Sequence, residues 1–424
     1  MGVSAAERSV LDKIDEHHLI ELTRSLVRAD GQNPPGEEAA TVAVLAAAAA
    51  ELGLAVHEEP VTPGRNNLRV TLRTRGAGQA GRTRGAGQAG RTRGAGQAGP
   101  PGEGPGFLLL GHTDVVPVGE GWTKDPFGAA VEGGRIYGRG AADMKGGLAA
   151  CVSAMAALRG AGLSGPVELA ALVDEEENGT GIRAYVSSVQ ASFAGCITAE
   201  PTDLQTIVGA RGASYLRVHV HGTACHAGNP GDGANAIYGA AAVVAEIERM
   251  HAQLADRPHP LLGPATWSVG QIKGGNSGSV VPAECAVVAD RRILPGESAA
   301  TVLDDLRARI EALRLADRGL TVEVSMPMEM PAFETPSESP LARTVGAAVA
   351  DAGGPTLAPG GWTAACDGGF VARDLDVPVV VLGPGSVAEQ AHRPDESVAL
   401  EELIVAARTY TLTALRLLAP DKSA

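Results

Sequence analysis

The chain has 424 residues, which is enough for two domains of ordinary size, each with its own hydrophobic core. Apolar residues make up 44% of the sequence but aromatic residues only 3%, so the core must consist mainly of alanine, valine and leucine. The formal net charge of −14 argues against nucleic acids and anionic membranes as partners. No segment has the roughly 18 uninterrupted apolar residues that a membrane-spanning helix needs.

The cysteines and the N-terminus indicate a compartment. Five cysteines, at positions 151, 196, 225, 285 and 366, form no C-x-x-C pair, which argues against a disulfide framework and against a thiolate zinc site. Charged Glu7, Arg8 and Asp12 stand where a signal peptide would need its apolar region. We therefore expect a cytoplasmic protein whose cysteines are buried, unreactive thiols.

Helices and strands alternate in the first half of the chain. Apolar residues at helical spacing predict helices over residues 8–28, 37–53 and 146–159. Short, continuous apolar runs predict strands over the ranges 107–111, 167–173 and 196–199. Continuous runs of this kind are typical of strands that are covered on both faces. The alternation favours an α/β fold.

A repeat interrupts this pattern between the apolar runs 68–72 and 107–110. Residues 73–99 are three perfect copies of RTRGAGQAG, which contain no apolar side chain larger than alanine. Such a segment cannot form a hydrophobic face, so we expect a disordered, basic surface loop. It is either a neutral expansion of a tolerant hairpin loop or, through its arginines, a binding segment for an acidic partner.

The middle of the chain has a different order of elements, β-α-β-β-α-β, which is the ferredoxin-like pattern. These elements are strand 211–221, helix 234–254, strands 266–272 and 283–293, helix 298–315 and strand 319–326. From about residue 330 the α/β pattern returns, with a strand at 377–382. We predict an α/β domain built from residues 1–207 and 328–424. A ferredoxin-like α+β domain is inserted at 208–327.

Histidine or acidic residues follow the predicted strands where each one ends. His112 and Asp114 follow the first, Glu175 and Glu176 the second, and Glu200 the third. In open α/β sheets, sites form outside the carboxyl ends of the strands, so these side chains should converge. Taken alone, the His-x-Asp pattern is more typical of a hydrogen-bonded histidine with ordinary loop aspartates.

This edge and its adjoining loops supply five candidate metal ligands: His112, Asp143, Glu176, Glu200 and His392. Two histidines and three carboxylates suit a pair of divalent ions, Zn²⁺ or alternatively Co²⁺ or Mn²⁺, with one carboxylate bridging them. Such a pair would lower the pKa of water and polarise a scissile carbonyl. Asp114 would take the other ring N–H of His112, and Glu175 would accept a proton from water. The sequence alone does not assign these roles.

Several motifs make the chain resemble the co-catalytic zinc hydrolases. This family includes acetylornithine deacetylase, succinyl-diaminopimelate desuccinylase, aminoacylase and glutamate carboxypeptidase. The motifs run in family order and cover nearly the whole chain except the repeat. They are GHTDVVPVGEGWTKDPFGAAVEGGRIYGRGAADMKGG at 111–147, DEEENGTG at 174–181, AEPT at 199–202, HAGNP at 226–230, DRRILPGE at 290–297, GPG at 383–385 and AHRPDE at 391–396.

The resemblance implies a mixed-sheet α/β metal-binding domain at 1–207 and 328–424, with an inserted dimerisation (lid) domain at 208–327. It also implies how the ligands are shared between the metals. Asp143 would bridge the two ions. His112 and Glu200 would complete the ligands of one ion, and Glu176 and His392 those of the other.

The resemblance also implies three catalytic roles. Glu175 would be the general base and then the proton donor to the leaving amine, while Asp114 would orient His112. His226, on the inserted domain, would reach the active site of the partner subunit and help to hold the tetrahedral oxyanion. Its alternative is a surface histidine at a strand end.

Substrate contacts follow from the same resemblance. Arg292 matches the arginine of a D-x-R motif that binds a substrate carboxylate, and Arg291 would be its solvent-facing neighbour. A shift of one residue in the alignment would exchange the two roles. Gly383 and Gly385 of the GPG turn would contact substrate. The chain departs from the family at Ser279, where asparagine is common, and this departure bears on the choice of substrate rather than on the reaction.

The resemblance implies metal-dependent hydrolysis of an amide bond that deacylates an N-acyl amino acid or a related amine. A dimetal exopeptidase of dipeptidase or carboxypeptidase type shares the machinery, because only the pocket separates the two. A non-catalytic binding protein on this fold is a third reading, but such a protein is expected to have lost the base or a ligand. The expected partners are a small N-acyl amino acid or short peptide and a second copy of the chain in a homodimer.

Overall fold

The computed structural model describes residues 2–73 and 104–420, so the predicted repeat loop lies outside the described residues except for Arg73. The chain divides into two compact units. The first comprises Met1–Val208, Thr335–Gly360 and Phe370–Ala424, and the second comprises Gly209–Glu334 and Gly361–Gly369. The second unit therefore takes residues 328–334 and 361–369 in addition to most of the predicted insertion at 208–327. Within the described ranges, no helix is both long and apolar enough to cross a membrane.

The described residues form ten α-helices and eighteen strands. The helices are α1 (Ala5–Leu11), α2 (Glu16–Arg28), α3 (Ala39–Glu51), α4 (Gly146–Ala157), α5 (Thr180–Ser188), α6 (Ala236–Leu254), α7 (Ala299–Ala312), α8 (Pro340–Asp351), α9 (Gly368–Leu375) and α10 (Leu400–Leu417). The strands are β1 (Ala55–Thr62), β2 (Arg65–Leu72), β3 (Gly106–His112), β4 (Ala130–Glu132), β5 (Arg135–Tyr137), β6 (Val167–Leu172), β7 (Phe193–Thr198), β8 (Ile207–Ala210), β9 (Gly212–His221), β10 (Cys225–His226), β11 (Thr266–Gly274), β12 (Val280–Val281), β13 (Glu284–Ile293), β14 (Thr321–Met330), β15 (Phe333–Glu334), β16 (Gly360–Trp362), β17 (Val379–Val381) and β18 (Ser397–Ala399).

The principal sheet has the strand order β1-β2-β6-β3-β7-β17-β8-β15, with β16 also paired to β8. Its central strands β6, β3, β7 and β17 are parallel. The pairs β1–β2, β2–β6 and β17–β8 are antiparallel. Every residue of β3 and β6 is buried, as the continuous apolar runs require. The predicted mixed-sheet α/β fold is confirmed.

Helix α4 is the central helix of the first unit. It is built almost entirely from glycine, alanine and other apolar residues, and only Ala156 is not buried. A helix that is apolar on all sides belongs in a core, and α2 and α10 pack against it. At its first turn, a Cβ on Gly147 would stand 2.2 Å from the carbonyl oxygen of Ala199, so only glycine allows this approach. The helix therefore begins directly against the end of β7.

The predicted helix over 8–28 is wrong in one respect, because the structure has two helices there. The Ser4 side chain caps α1 within a capping box, and the Asp15 side chain accepts the N–H of His18 at 2.9 Å to begin α2. Each cap satisfies N–H groups that a new helix leaves unpaired. Apolar spacing continues through the break and does not reveal it.

The second unit contains a four-stranded antiparallel sheet in the order β11-β13-β9-β14. With α6 after β9 and α7 after β13, this is the predicted β-α-β-β-α-β order. One sheet face joins α6 and α7 in a hydrophobic core.

Arg291 is not solvent-facing as predicted. Alternate residues of β13 face the core, and Arg291 is one of them, with 2% exposure. Its Nη2 donates to Glu297 at 2.7 Å, and its guanidinium lies over the Trp267 ring at 5.6 Å. Arg292 faces the opposite side of the sheet, where its Nε donates to Asp290 at 3.0 Å.

Candidate metal centre

The carboxyl ends of three neighbouring parallel strands carry the predicted site. His112 is the last residue of β3, Glu175 and Glu176 follow β6, and Glu200 follows β7. Because β6, β3 and β7 are adjacent and parallel, their ends meet at one edge of the sheet. Asp143 reaches this edge from the π-helical turn Ala141–Lys145, directly before α4.

We define the inner triad as His112, Asp143 and Glu200. His112 Nε2 lies 3.2 Å from Asp143 Oδ1 and 3.6 Å from Glu200 Oε1. All three residues are buried, and each offers one ligand atom within 4.8 Å of the others. Imidazole and carboxylate donors at this spacing suit a divalent transition metal ion.

We define the outer triad as Asp143, Glu176 and His392. His392 Nε2 lies 3.2 Å from Glu176 Oε1 and 3.5 Å from Asp143 Oδ2, and these ligand atoms also lie within 4.8 Å of one another. The two triads thus use different oxygens of Asp143. The His392 side chain is 54% exposed, and its backbone has a φ of 63°, in the left-handed region that costs energy for a residue with a Cβ.

The two triads shift the pKa values of their own members. Hydrogen bonds to Asp143 and Glu176 raise the pKa of His392 to about 10. Burial raises the pKa of Glu200 to about 7 and that of Glu176 above its ordinary value. Burial disfavours the imidazolium of His112, but Glu200, Asp114 and Asp143 together outweigh burial, so the pKa of His112 lies well above its usual range. The edge therefore favours positive charge, which divalent cations would supply.

Asp114 makes contacts that differ from the expected one. The nearest acceptor to His112 Nδ1 is the main-chain carbonyl of Asp114, at 2.9 Å, while the carboxylate lies 3.6 Å away. That carboxylate instead accepts the main-chain N–H groups of Glu175 at 3.2 Å and Glu176 at 3.1 Å. Asp114 thus fixes the turn that carries the candidate base and an outer ligand, as well as the ring of His112.

Asn33 belongs to the same buried network and was not predicted. Its side-chain N–H group donates to Asp114 at 2.8 Å and to Asp174 at 3.0 Å. Asp174 has a φ of 68° and directly precedes Glu175. Asn33 therefore links the segment after His112 to the turn that carries Glu175. The only sequence signal was its position in NPPG, a proline-rich turn before α3.

Glu396 and Arg139 were also missed, although both lie inside quoted motifs. They form a buried ion pair, with Arg139 Nη1 2.7 Å from Glu396 Oε2. Burial and the charge of Asp143 raise the pKa of Glu396 to about 7. A buried acid needs such partners, and its position four residues after a candidate ligand was the signal that could have found it.

Gly383 and Gly385, predicted to contact substrate, have close contacts within the protein. A Cβ on Gly383 would stand 2.4 Å from the carbonyl oxygen of Ala199 and 2.6 Å from that of Glu200. The N–H of Gly385 donates to Glu402 at 2.8 Å. The GPG turn therefore packs against the segment that carries Glu200, and substrate contact stays a prediction.

His226, Ser279 and Arg292 belong to the second unit. His226 lies on β10 and pairs with Val280 of β12, which brings it next to Ser279. Both His226 and Ser279 are exposed. The ring of His226 accepts the N–H of Gly228 at 3.0 Å. Their predicted roles toward substrate stay predictions.

Comparison with known proteins gives consistent matches. The family described as Peptidase family M20/M25/M40 matches residues 108–416. An acetylornithine deacetylase from Edwardsiella ictaluri is 31% identical over 319 residues, which is 73% of this chain and 79% of that relative.

Two solved structures have a similar fold. The aminopeptidase PepT from Bacillus cereus has a TM-score of 0.71 at 20% identity, covering 96% of this chain and 99% of that one. A dinuclear metal-binding peptidase of the M20 family from Bacillus subtilis has a TM-score of 0.69 at 15% identity, covering 95% and 98%.

The matched segment contains all five candidate ligands. It begins before His112 and ends after His392, with well over half of the chain included. The predicted resemblance is confirmed, and with it an enzyme that hydrolyses amide bonds with the help of metal ions. This chain belongs to the Peptidase family M20/M25/M40.

Proposed function

We propose that this enzyme removes the acyl group from an N-acyl amino acid. The observation that carries the proposal is the pair of triads around Asp143, with Glu175 directly before Glu176 in the chain. The chain is also 31% identical to an acetylornithine deacetylase over 73% of its length. An exopeptidase is the second candidate, since the aminopeptidase and the dinuclear peptidase above have a similar fold. Because these two structures are only 20% and 15% identical to this chain, they support the fold alone.

The donor set fits two divalent ions, which we propose to be Zn²⁺. His112 and Glu200 would hold the inner ion, Glu176 and His392 the outer ion, and Asp143 both. When bound, the ions lower the pKa of the attacking water and stabilise negative charge on the carbonyl oxygen. Co²⁺ and Mn²⁺ accept the same nitrogen and oxygen donors and are the alternatives.

Glu175 is the residue that we propose as general base. It lies between Asp174 and the ligand Glu176 and is 8% exposed. In this position its carboxylate would take a proton from the attacking water and pass it to the leaving amine. Asp114 holds the main-chain N–H of Glu175, so it would fix the direction from which the base acts.

Arg292 is our proposed anchor for the substrate carboxylate. Its planar guanidinium offers two parallel N–H groups to two oxygens, a geometry that lysine cannot reproduce. Ser279, Gly383 and Gly385 would complete the substrate contacts. If this is right, an N-acyl amino acid is hydrolysed far faster than its amide, and Arg292→Lys removes most of that preference. Equal rates on the acid and the amide would exclude Arg292 from substrate binding.

We further propose a homodimer in which His226 completes the partner's active site. In this arrangement, mixing inactive His226→Ala chains with inactive Glu175→Ala chains restores part of the activity, because each heterodimer contains one intact site. A fully active monomer in sedimentation would exclude it. All five cysteines are free, which supports a reducing, cytoplasmic location.

A substrate screen tests the proposed function. N-acetyl, N-succinyl and N-formyl amino acids are assayed beside dipeptides and tripeptides, with detection of the released amine. We expect the acyl amino acids to be the best substrates, with activity lost in chelator and in Glu175→Gln. Faster release from peptides would favour the exopeptidase. No turnover of either class by metal-loaded protein would favour the binding protein.

A further inference from the structure

The loop that carries His392 is joined to the segment that carries Asp143 by a short antiparallel ladder. Strand β18, directly after this loop, pairs with β5, so that Ser397 stands opposite Tyr137. The N–H of Gly138 extends the ladder by donating to the carbonyl of Glu396 at 2.8 Å. The main chain therefore brings Glu396 next to the turn that leads into Asp143.

The Glu396 side chain then binds that turn directly. Its Oε1 accepts the main-chain N–H of Ala142 at 2.9 Å and that of Asp143 at 3.0 Å. Its Oε2 accepts from Arg139 Nη1 at 2.7 Å, and the same Nη1 lies 3.4 Å from the carbonyl oxygen of Arg393. Glu396 is 1% exposed and Arg139 2% exposed. One buried ion pair thus touches the residue after His392 and the main chain of Asp143.

We propose that Arg139 and Glu396 are a positioning pair that sets the separation between Asp143 and His392, and so the affinity of the outer site for its ion. This inference rests on the proposed two-ion site. His392 is half exposed and comes from a loop, so its place depends on how that loop is fixed. Neither Arg139 nor Glu396 offers an atom to the triads; they act through the main chain.

Stability alone does not account for the pair. Taking two charges out of water costs several kcal/mol, and neutral side chains of similar size often replace a buried ion pair without loss of stability. What neutral residues would not reproduce is a carboxylate that accepts two adjacent N–H groups with one oxygen and a guanidinium with the other. That geometry fixes two segments to each other in one register.

The test compares Zn²⁺ affinities of chelator-stripped protein, measured by competition with a chromophoric chelator. Glu396→Gln keeps the shape, but its amide offers a single acceptor oxygen, so one of the two contacts is lost. We expect the weaker of two binding steps to lose about 10- to 100-fold in affinity, the usual effect of residues behind a ligand. The tighter step should stay within about twofold of the wild type. The double variant Arg139→Met with Glu396→Gln removes both charges. It should lose affinity at the weaker step to the same extent as Glu396→Gln.

Asp395→Asn is the matched control, because Asp395 lies in the same loop as His392 and Glu396, but its carboxylate binds a different segment. Its carboxylate accepts from Thr123 N at 2.9 Å and Thr123 Oγ1 at 2.6 Å, away from Asp143. We expect both binding steps to be unchanged in this variant. Melting temperatures of the stripped proteins separate positioning from folding, and we expect the double variant to melt within a few degrees of the wild type.

Three outcomes would overturn the proposal. One is wild-type affinity for both ions in Glu396→Gln and in the double variant. Another is an equal loss at both steps, and the third is failure of both variants to fold. In each case two ions bound by the wild type would leave the proposed function standing. If the wild type itself binds fewer than two ions, this result contradicts both the proposed function and this inference.

Discussion

The inner and outer triads contain the same kinds of donor but are supported differently. His112 lies at the end of a buried strand with a side chain that is 1% exposed, whereas His392 comes from a loop and is 54% exposed. The inner candidate ligands His112 and Glu200 lie at the ends of the adjacent strands β3 and β7, so the sheet itself sets their separation. The outer ligands depend on loop-to-loop hydrogen bonds. The comparison indicates that the sheet positions the inner candidate site, whereas hydrogen bonds between loops position the outer one.

This difference has a consequence for metal binding. A site on rigid strands loses little conformational freedom when an ion arrives, whereas a site on loops must be ordered first. We therefore expect the inner ion to bind more tightly and the outer ion to exchange more readily. Asp143 belongs to both triads, so a change at this residue should affect both ions.

The largest effect is expected for Asp143→Asn. The amide keeps the shape but removes the negative charge shared by the two triads, so both ions should be lost. Elemental analysis after dialysis should find less than one ion per chain, and deacylation should fall to background. Two ions retained in this variant would show that the triads do not share Asp143.

The next effect separates two neighbouring acids. Glu175→Gln should keep both ions while kcat falls by roughly 10²–10⁴-fold, the usual contribution of general acid–base catalysis. Glu176→Gln should lose only the outer ion. Metal analysis and steady-state kinetics on the same preparations check both. Reversed phenotypes would mean that the roles of the two residues are exchanged.

The smallest expected effect is on protein stability, and it compares how firmly the two histidines are held. His112→Ala removes a buried ring and leaves the main-chain carbonyl of Asp114 without that partner, which should cost about 1–3 kcal/mol. His392→Ala removes an exposed ring and should leave stability nearly unchanged. Melting temperatures of the chelator-stripped variants give the comparison. An equal fall in both would contradict the difference in support.

Residues at strand ends could be predicted because a single rule places them. His112, Glu175 and Glu200 each follow a continuous apolar run, and parallel strands bring such ends together. The order of the ferredoxin-like elements was equally accessible, since each element has its own periodicity. The burial of Arg291 could also have been derived from the alternation along β13, had the register been fixed.

Residues that hold the ligands in place could not be predicted in this way. Glu396 binds the main-chain N–H of Asp143 across 253 residues of sequence, and Asn33 reaches Asp114 across 81. A main-chain N–H is the same at every residue, so no pattern in the sequence marks it as a partner. Such contacts become visible only when the fold has brought the loops together.

Titration of chelator-stripped wild-type protein with Zn²⁺, with deacylation of an N-acyl amino acid followed at each addition, tests the central claim most directly. Two unequal triads that share Asp143 predict two binding steps of different affinity, with activity still rising until two ions per chain are bound. Full activity without added metal would contradict the account, as would a single binding step that saturates at one ion per chain.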